Sequence, residues 1–170
     1  MIKLFLDLDG VLINTNKFIQ EVINNSGVDI SIKESFIELC KPFSWNNFLE
    51  KCEEINNSFE LIKFVKQQYK LTIITHCYSD SEAELKINFI KKKIQDVKCI
   101  TTSFDKIKNE MLPSAEKSIL IDDYVVNVDN WIENGDIEVH FRDKQNGQKY
   151  PIIDDLRYLL YTNFLKELDN

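Results

Sequence analysis

Two aspartates two residues apart, Asp7 and Asp9, close the apolar run Ile2 to Leu6 and are followed by Gly10. Alternate side chains of a strand share a face, so both carboxylates crowd one strand end. Such a pair resists ionising together, and a chain that keeps it usually supplies a divalent cation or a shared proton. Gly10 permits a backbone turn that a side chain would obstruct. A second acidic pair, Asp122-Asp123, closes Ile119-Leu120-Ile121, and a third apolar run, Ile73-Ile74, ends in Thr75. Asp122 could complete a hard-cation site with Asp7, with Asp123 binding through water or orienting a loop amide. The Thr75 hydroxyl and the amides after it are suited to phosphate oxygens. Singly, each feature has a bland reading, because Asp and Gly are common in βα turns and Thr is an ordinary β-branched strand residue. The weight lies in three strand ends converging.

The elements that must position these residues are legible as five apolar runs: Ile2 to Leu6, Leu71 to Thr75, Lys98 to Thr102, Ser118 to Ile121 and Ile137 to Phe141. Most are nearly continuous in apolar character, as expected of parallel strands covered on both faces. Helical periodicity separates them. Ser58 to Tyr69 groups Phe59, Ile62, Phe64, Val65 and Tyr69, and Ser81 to Ile94 groups Ala83, Leu85, Ile87, Phe89, Ile90 and Ile94, with Ser58 and Ser81 as N-caps. Asn127 to Glu133 reads as a short helix capped by Asn127 and stopped by Asn134-Gly135, and Pro151 opens a last helix reaching Phe164 and Leu165. This alternation predicts a doubly wound, Rossmann-like α/β fold with a mainly parallel five-stranded sheet and its ligand site beyond the carboxyl strand ends.

One stretch breaks the rhythm. Residues 15–57 carry no strand signal and are far longer than an ordinary βα connection. Helical spacing over Asn16 to Asn24, Ser31 to Cys40 and Ser44 to Ile55, punctuated by Gly27, Pro42 and Asn56-Asn57, predicts a small helical cap. The expected organisation is a core of residues 1–14 and 58–170 and a cap of residues 15–57.

With 170 residues, 44% of them hydrophobic, the chain has enough core to fold without staples. Its four cysteines form no Cys-x-x-Cys pair and its two histidines lie far from any ligand cluster, which argues against zinc. The apolar start runs directly into Asp7, leaving no room for a signal peptide, and no run reaches the roughly 20 apolar residues of a membrane helix. A cytoplasmic protein with reduced thiols and no membrane partner is expected. A net charge of -7 argues against broad adhesion to duplex nucleic acid, so an anionic substrate needs a cation or a specific pocket.

Taken together, DLDGVL from Asp7, IIT ending at Thr75 and ILIDD ending at Asp123 resemble the first, second and fourth motifs of the haloacid dehalogenase-like (HAD) hydrolase superfamily, in that order. The resemblance covers the whole core, and residues 15–57 look like a reduced cap of the kind inserted after the first strand there. It implies a Mg²⁺-dependent phosphomonoester hydrolase acting on a small phosphorylated substrate. Asp7 would attack phosphorus to form an aspartyl-phosphate, and Asp9 would protonate the leaving oxygen and then activate water. Mg²⁺ would bridge Asp7, the backbone carbonyl of Asp9 and Asp122. The resemblance also implies a phosphate-neutralising lysine between the second and fourth motifs. Lys108, which looks like the opening of a helix before Pro113, is the first candidate and Lys106 the second, while Lys117 reads as a solvated flank.

Weaker expectations surround this set. His76, beside Thr75, is a candidate phosphate contact or a structural histidine, and Asn127 supports the metal loop or merely caps its helix. Phe43, Trp45 and Phe48 read as cap core or as a stacking surface. The helical cap, the Ile-Asp-Asp ending and the Asn127…Trp131…Gly135 pattern look most like the 5'(3')-deoxyribonucleotidase-type branch, which implies a nucleotide 5'-phosphate. His76-Cys77 departs from that branch. A sugar phosphate or another small metabolite is the alternative substrate, and a noncatalytic HAD-fold binding module is the alternative of another class.

Overall fold

The computed structural model describes residues 2–27, 45–104, 106, 108, 118–132, 137–141 and 151–161, together with residues 35 and 38. Apart from residues 35 and 38, the expected helix over 31–40 lies outside the described residues, as do the punctuation at Pro42, the helix beyond Lys108, the stop at 134–135 and the end of the last helix at Phe164 and Leu165.

Six parallel strands form one sheet in the order β3-β2-β1-β4-β5-β6. They are β1 (Lys3–Leu6), β2 (Lys70–Cys77), β3 (Lys98–Ser103), β4 (Ser118–Asp122), β5 (Ile137–Phe141) and β6 (Ile152–Ile153). The helices are α1 (Thr15–Ser26), α2 (Trp45–Lys51), α3 (Ser58–Gln68), α4 (Asp80–Lys93) and α5 (Val125–Ile132), with a 3₁₀ helix at Leu156–Leu160. The chain steps outward from β1 through β2 to β3, then returns to the other side of β1 and steps through β4 and β5 to β6. The order therefore reverses between β1 and β4, where a doubly wound sheet opens its binding crevice.

The sheet is covered on both faces, which explains the unbroken apolar strands. Leu4, Leu6, Ile73, Ile119 and Ile121 pack in one cluster with Phe59, Ile62 and Val65 of α3, Ile90 of α4 and Trp45, Phe48 and Leu49 of α2. The alternate strand residues Phe5, Ile74 and Leu120 form a second cluster around Trp131 of α5. Trp131 is fully buried, its ring 5.3 Å from that of Phe5. Among the described residues no helix is long and apolar enough to cross a membrane.

Four element ends differ from the sequence expectation, each for a local reason. Ser79, not Ser81, caps α4, accepting from the Glu82 N–H at 3.2 Å in a Ser-x-x-Glu arrangement. The Ser58 hydroxyl donates to the Leu12 carbonyl at 2.8 Å, and α3 is entered instead through Asn57 in the left-handed region with no side-chain cap. Asn127 lies inside α5 rather than at its start. Pro151 opens no helix: Ile152–Ile153 add a short sixth strand beside β5, and Asp155 caps the 3₁₀ helix that follows. A proline lacking an N–H is tolerated where an edge strand begins. Phe64 also leaves the buried stripe of α3 and faces solvent.

Trp131 packs with Phe5, Ile74 and Leu120 on one face of the central strands, so its truncation tests the two-faced packing. Trp131→Ala should lower unfolding free energy by about 3–5 kcal/mol in a denaturant titration. A loss below about 1 kcal/mol would show that α5 does not carry that face.

Candidate active site

The parallel register brings the chemistry together. Leu6 stands opposite Ile73 of β2 and Ile121 of β4, so the next residue, Asp7, falls beside Asp122, and its N–H donates to the Ile121 carbonyl at 2.9 Å. Thr75 lies further along β2, towards the same strand ends. The pairing of the central strands thus sets the spacing of the acids before any side chain is considered.

Asp7 is 5% exposed. Its Oδ1 accepts from the Leu8 N–H at 2.7 Å and pairs with Lys108 Nζ at 2.9 Å, while no donor among the described residues reaches Oδ2. Burial raises the Asp7 carboxyl well above the ordinary carboxylate range; Lys108 opposes that rise and Asp122 adds to it. Asp122 is fully enclosed. Its Oδ1 accepts from the Tyr124 N–H at 2.9 Å, and its Oδ2 accepts from Lys108 at 2.7 Å and from Asn127 Nδ2 at 3.0 Å. Burial of Lys108 favours the neutral amine, but Asp122 and Asp7 outweigh it and hold the ammonium charged. Lys108 is the cation that lets two buried acids share one strand boundary.

Asp123 approaches from the other side. Its carboxylate lies against the Gly10 backbone, where a Cβ would collide with it, and Gly10 has a φ of 76°. Both constraints call for glycine. Asn16 of α1 donates to Asp123 Oδ2 at 3.1 Å, tying the segment after β1 to the acidic loop. Burial raises the Asp123 carboxyl from its ordinary 3.8 to about 6, Asp122 adds to the rise and Asn16 opposes it. One carboxylate oxygen each from Asp7, Asp122 and Asp123 lie within 4.8 Å of one another. Three hard oxygen donors so grouped fit Mg²⁺. The Asp9 carboxylate stands outside that trio, and Asp123, expected only as support, stands within it.

Asp9 turns the other way. Its Oδ2 accepts from the Thr75 hydroxyl at 2.7 Å and from Lys86 Nζ at 2.7 Å. Thr75 therefore meets Asp9 directly. His76 is committed to other partners: its Nε2 lies 2.9 Å from the Lys106 carbonyl and its ring packs edge-on to Phe104. Burial, followed by the charge of Lys108, lowers the His76 pKa, so the neutral ring donates to that carbonyl. Lys106 contributes its carbonyl there while its residue is exposed, and of the two candidate lysines only Lys108 reaches the acids.

Sequence periodicity missed Lys86 and Glu82. Both are fully buried on α4, in line with Ile90 at i, i+4 and i+8. The signal was a Glu and a Lys one turn apart, in register with a core isoleucine. On a helix such a pair reads first as a solvated ion pair.

No family model matches the chain, and no curated protein matches its sequence. Solved structures do share its fold. A haloacid dehalogenase-like family hydrolase of Xanthomonas campestris superposes with a TM-score of 0.64 at 13% identity, covering 99% of this chain and 92% of that one. A β-phosphoglucomutase of Clostridium difficile gives 0.59 at 13% identity over 100% of both chains. A Bacillus subtilis protein described as a HAD hydrolase, solved with magnesium bound, gives 0.62 at 13% identity over 95% and 98%. The chain has the HAD-like fold.

The raised Asp123 carboxyl has a consequence for stability in the absence of metal. A group with a higher pKa folded than unfolded stabilises the fold when protonated, and that contribution is lost as pH rises from its ordinary 3.8 through about 6. In chelator, the stability difference between Asp123→Asn and wild type should therefore grow in favour of the variant across that window. Melting curves at stepped pH measure it, and a difference that stays flat refutes the assignment.

Proposed function

We propose that this chain is a Mg²⁺-dependent phosphomonoester hydrolase that works through an aspartyl-phosphate on Asp7. The observation that carries the reading is the buried Asp7, held at one oxygen by Lys108 and the Leu8 N–H and grouped with Asp122 and Asp123 at the switch point of the sheet. A carboxylate presented this way, with cationic charge beside it, can approach an anionic phosphate. The intact set of Asp7, Asp9, Asp122 and Asp123 favours turnover over a noncatalytic module. The shared fold with HAD hydrolases supports the same class.

The steps follow from the chain's own groups. Asp7 Oδ2 forms a bond to phosphorus as the ester P–O bond breaks, and the departing oxygen takes a proton from Asp9. Asp9 then removes a proton from water. The water oxygen bonds to phosphorus while the bond from phosphorus to Asp7 breaks, releasing inorganic phosphate and restoring both carboxyl groups. Lys108 stands against Asp7 throughout and meets the phosphoryl charge. Thr75 orients Asp9, and Asn127 holds Asp122. Asp7 and Asp122, with Asp123 beside them, would hold Mg²⁺, which would supply positive charge to the transferring group.

The substrate is a small phosphorylated metabolite in the cytoplasm. Nucleotide 5'-phosphates come first, on the motif resemblance. Sugar phosphates come second, favoured by the fold shared with a β-phosphoglucomutase.

Phosphate release should be measured from nucleoside monophosphates, sugar phosphates and p-nitrophenyl phosphate, with Mg²⁺ and with chelator. Release should require the metal, and Asp7→Asn should reduce it by more than about 1,000-fold while melting like wild type. Wild-type activity in Asp7→Asn would remove the nucleophile assignment, and Asp122→Ala activity that excess Mg²⁺ restores would place Asp122 at the metal.

A further inference from the structure

Lys86 is buried where an apolar residue would be the less costly choice. It lies on the same helical stripe as Ile90, is 1% exposed and packs beneath the Trp45 ring, 4.8 Å from its centroid. Its ammonium donates to Asp9 Oδ2 at 2.7 Å and to the His76 carbonyl at 2.9 Å, and lies 3.5 Å from the Thr75 hydroxyl. It also stands 2.7 Å from Glu82 Oε1, a contact of opposite charges rather than an aligned hydrogen bond. Glu82 is fixed in turn, accepting from the Tyr78 N–H at 2.7 Å through Oε2. Replacing a buried ion pair with apolar side chains is often neutral or stabilising, so stability alone is a weak reason for this arrangement. Its direction supplies a better one. Lys86 and Thr75 both grip Oδ2 of Asp9, and no donor among the described residues reaches Oδ1.

We propose that Lys86 is a positioning residue that, with Thr75, pins Oδ2 of Asp9 and so makes Oδ1 the oxygen that delivers the proton to the leaving group. This rests on the phosphatase reading above. With Oδ2 saturated by two donors, a proton on Asp9 resides on Oδ1, the oxygen left for the crevice. As the ester P–O bond breaks and the Asp7–phosphorus bond forms, the electron pair on the departing oxygen takes that proton, and Asp9 is left as a carboxylate held by the Lys86 ammonium. Glu82 acts one step further out, holding the ammonium so that it points at Asp9. Without Lys86 the Asp9 carboxyl could turn about its Cβ–Cγ bond and leave the orientation in which its free oxygen faces the departing oxygen.

Dependence on the leaving group separates this role from a structural one. Nitrophenolate departs without a proton and phenolate needs one far more, so kcat/KM should be compared for p-nitrophenyl phosphate and phenyl phosphate with Mg²⁺. Lys86→Met should lose about 100-fold on phenyl phosphate and no more than about tenfold on p-nitrophenyl phosphate, a proton-transfer deficit of the usual size. Because that variant leaves Glu82 buried and unpaired, the Glu82→Gln, Lys86→Met double variant is the companion, with less uncompensated charge to bury. It should melt closer to wild type and keep the same selective loss. Equal losses on both esters in the folded double variant, or no loss, would overturn the role of Lys86 and leave the phosphatase reading standing. Wild-type protein that releases no phosphate from either ester would overturn both together.

Discussion

Negative charge packed into a desolvated crevice is the constraint on which the rest depends. Pairing β1 beside β4 in parallel register places Asp7 next to Asp122, and the residues that follow add Asp9 and Asp123. Carboxylates so close cannot all be ionised and buried without compensation. The chain meets the demand with two lysines brought from opposite directions. Lys108, from the connection between β3 and β4, bridges Asp7 and Asp122. Lys86, from the helix after β2, meets Asp9. Each is buried, and each has its ammonium charge sustained by the acids it faces.

The topology explains why two cations can converge. At a switch point the chain leaves one strand toward one side and the neighbouring strand toward the other, so connections from both halves of the sheet end above the same gap. The described residues between β1 and α3 also reach the crevice. Trp45 of α2 joins the core cluster, lies over Lys86 and stacks along Tyr78, whose ring stacks in turn on Phe104. Asn16 of α1 reaches Asp123 from the same stretch. The segment that interrupts the strand-helix rhythm thus touches both halves of the charged crevice.

What the sequence made legible follows how strongly a feature is fixed by local pattern. Apolar strands covered on both faces carry an unmistakable composition, and Asp7, Thr75 and Asp122 sit at their ends because strand ends are where such a sheet exposes side chains. β6 escaped notice because two isoleucines after a proline are too short to show a period, and they pair only because Phe141 and His140 offer an edge. Asn127 fits two sequence readings, a helix cap or a support of the acidic loop, and only the fold decides between them: it lies inside α5 and its amide donates to Asp122. Lys86 and Glu82 were hidden for the opposite reason. Charged residues one turn apart are ordinary on helix surfaces, and only the tertiary fold reveals that this turn faces inward.

The division of partners gives the two aspartates after β1 unlike environments despite their spacing in sequence. Asp7 is nearly enclosed, bound to a backbone amide and a lysine, with a second acid at its side. Asp9 keeps a quarter of its side chain exposed and answers to a hydroxyl and a different lysine. Strand alternation alone would have made them equivalent, two carboxylates on one face. Their separation is the work of residues far away in the chain: Lys108 and Asp122 on one side, Thr75 and Lys86 on the other. Lys108 grips one oxygen of Asp7, Thr75 and Lys86 grip one of Asp9, and the second oxygen of each aspartate is left without a donor among the described residues. Two like groups at one strand end can take different parts in a reaction only when something breaks their equivalence, and here that is done by which lysine each one meets.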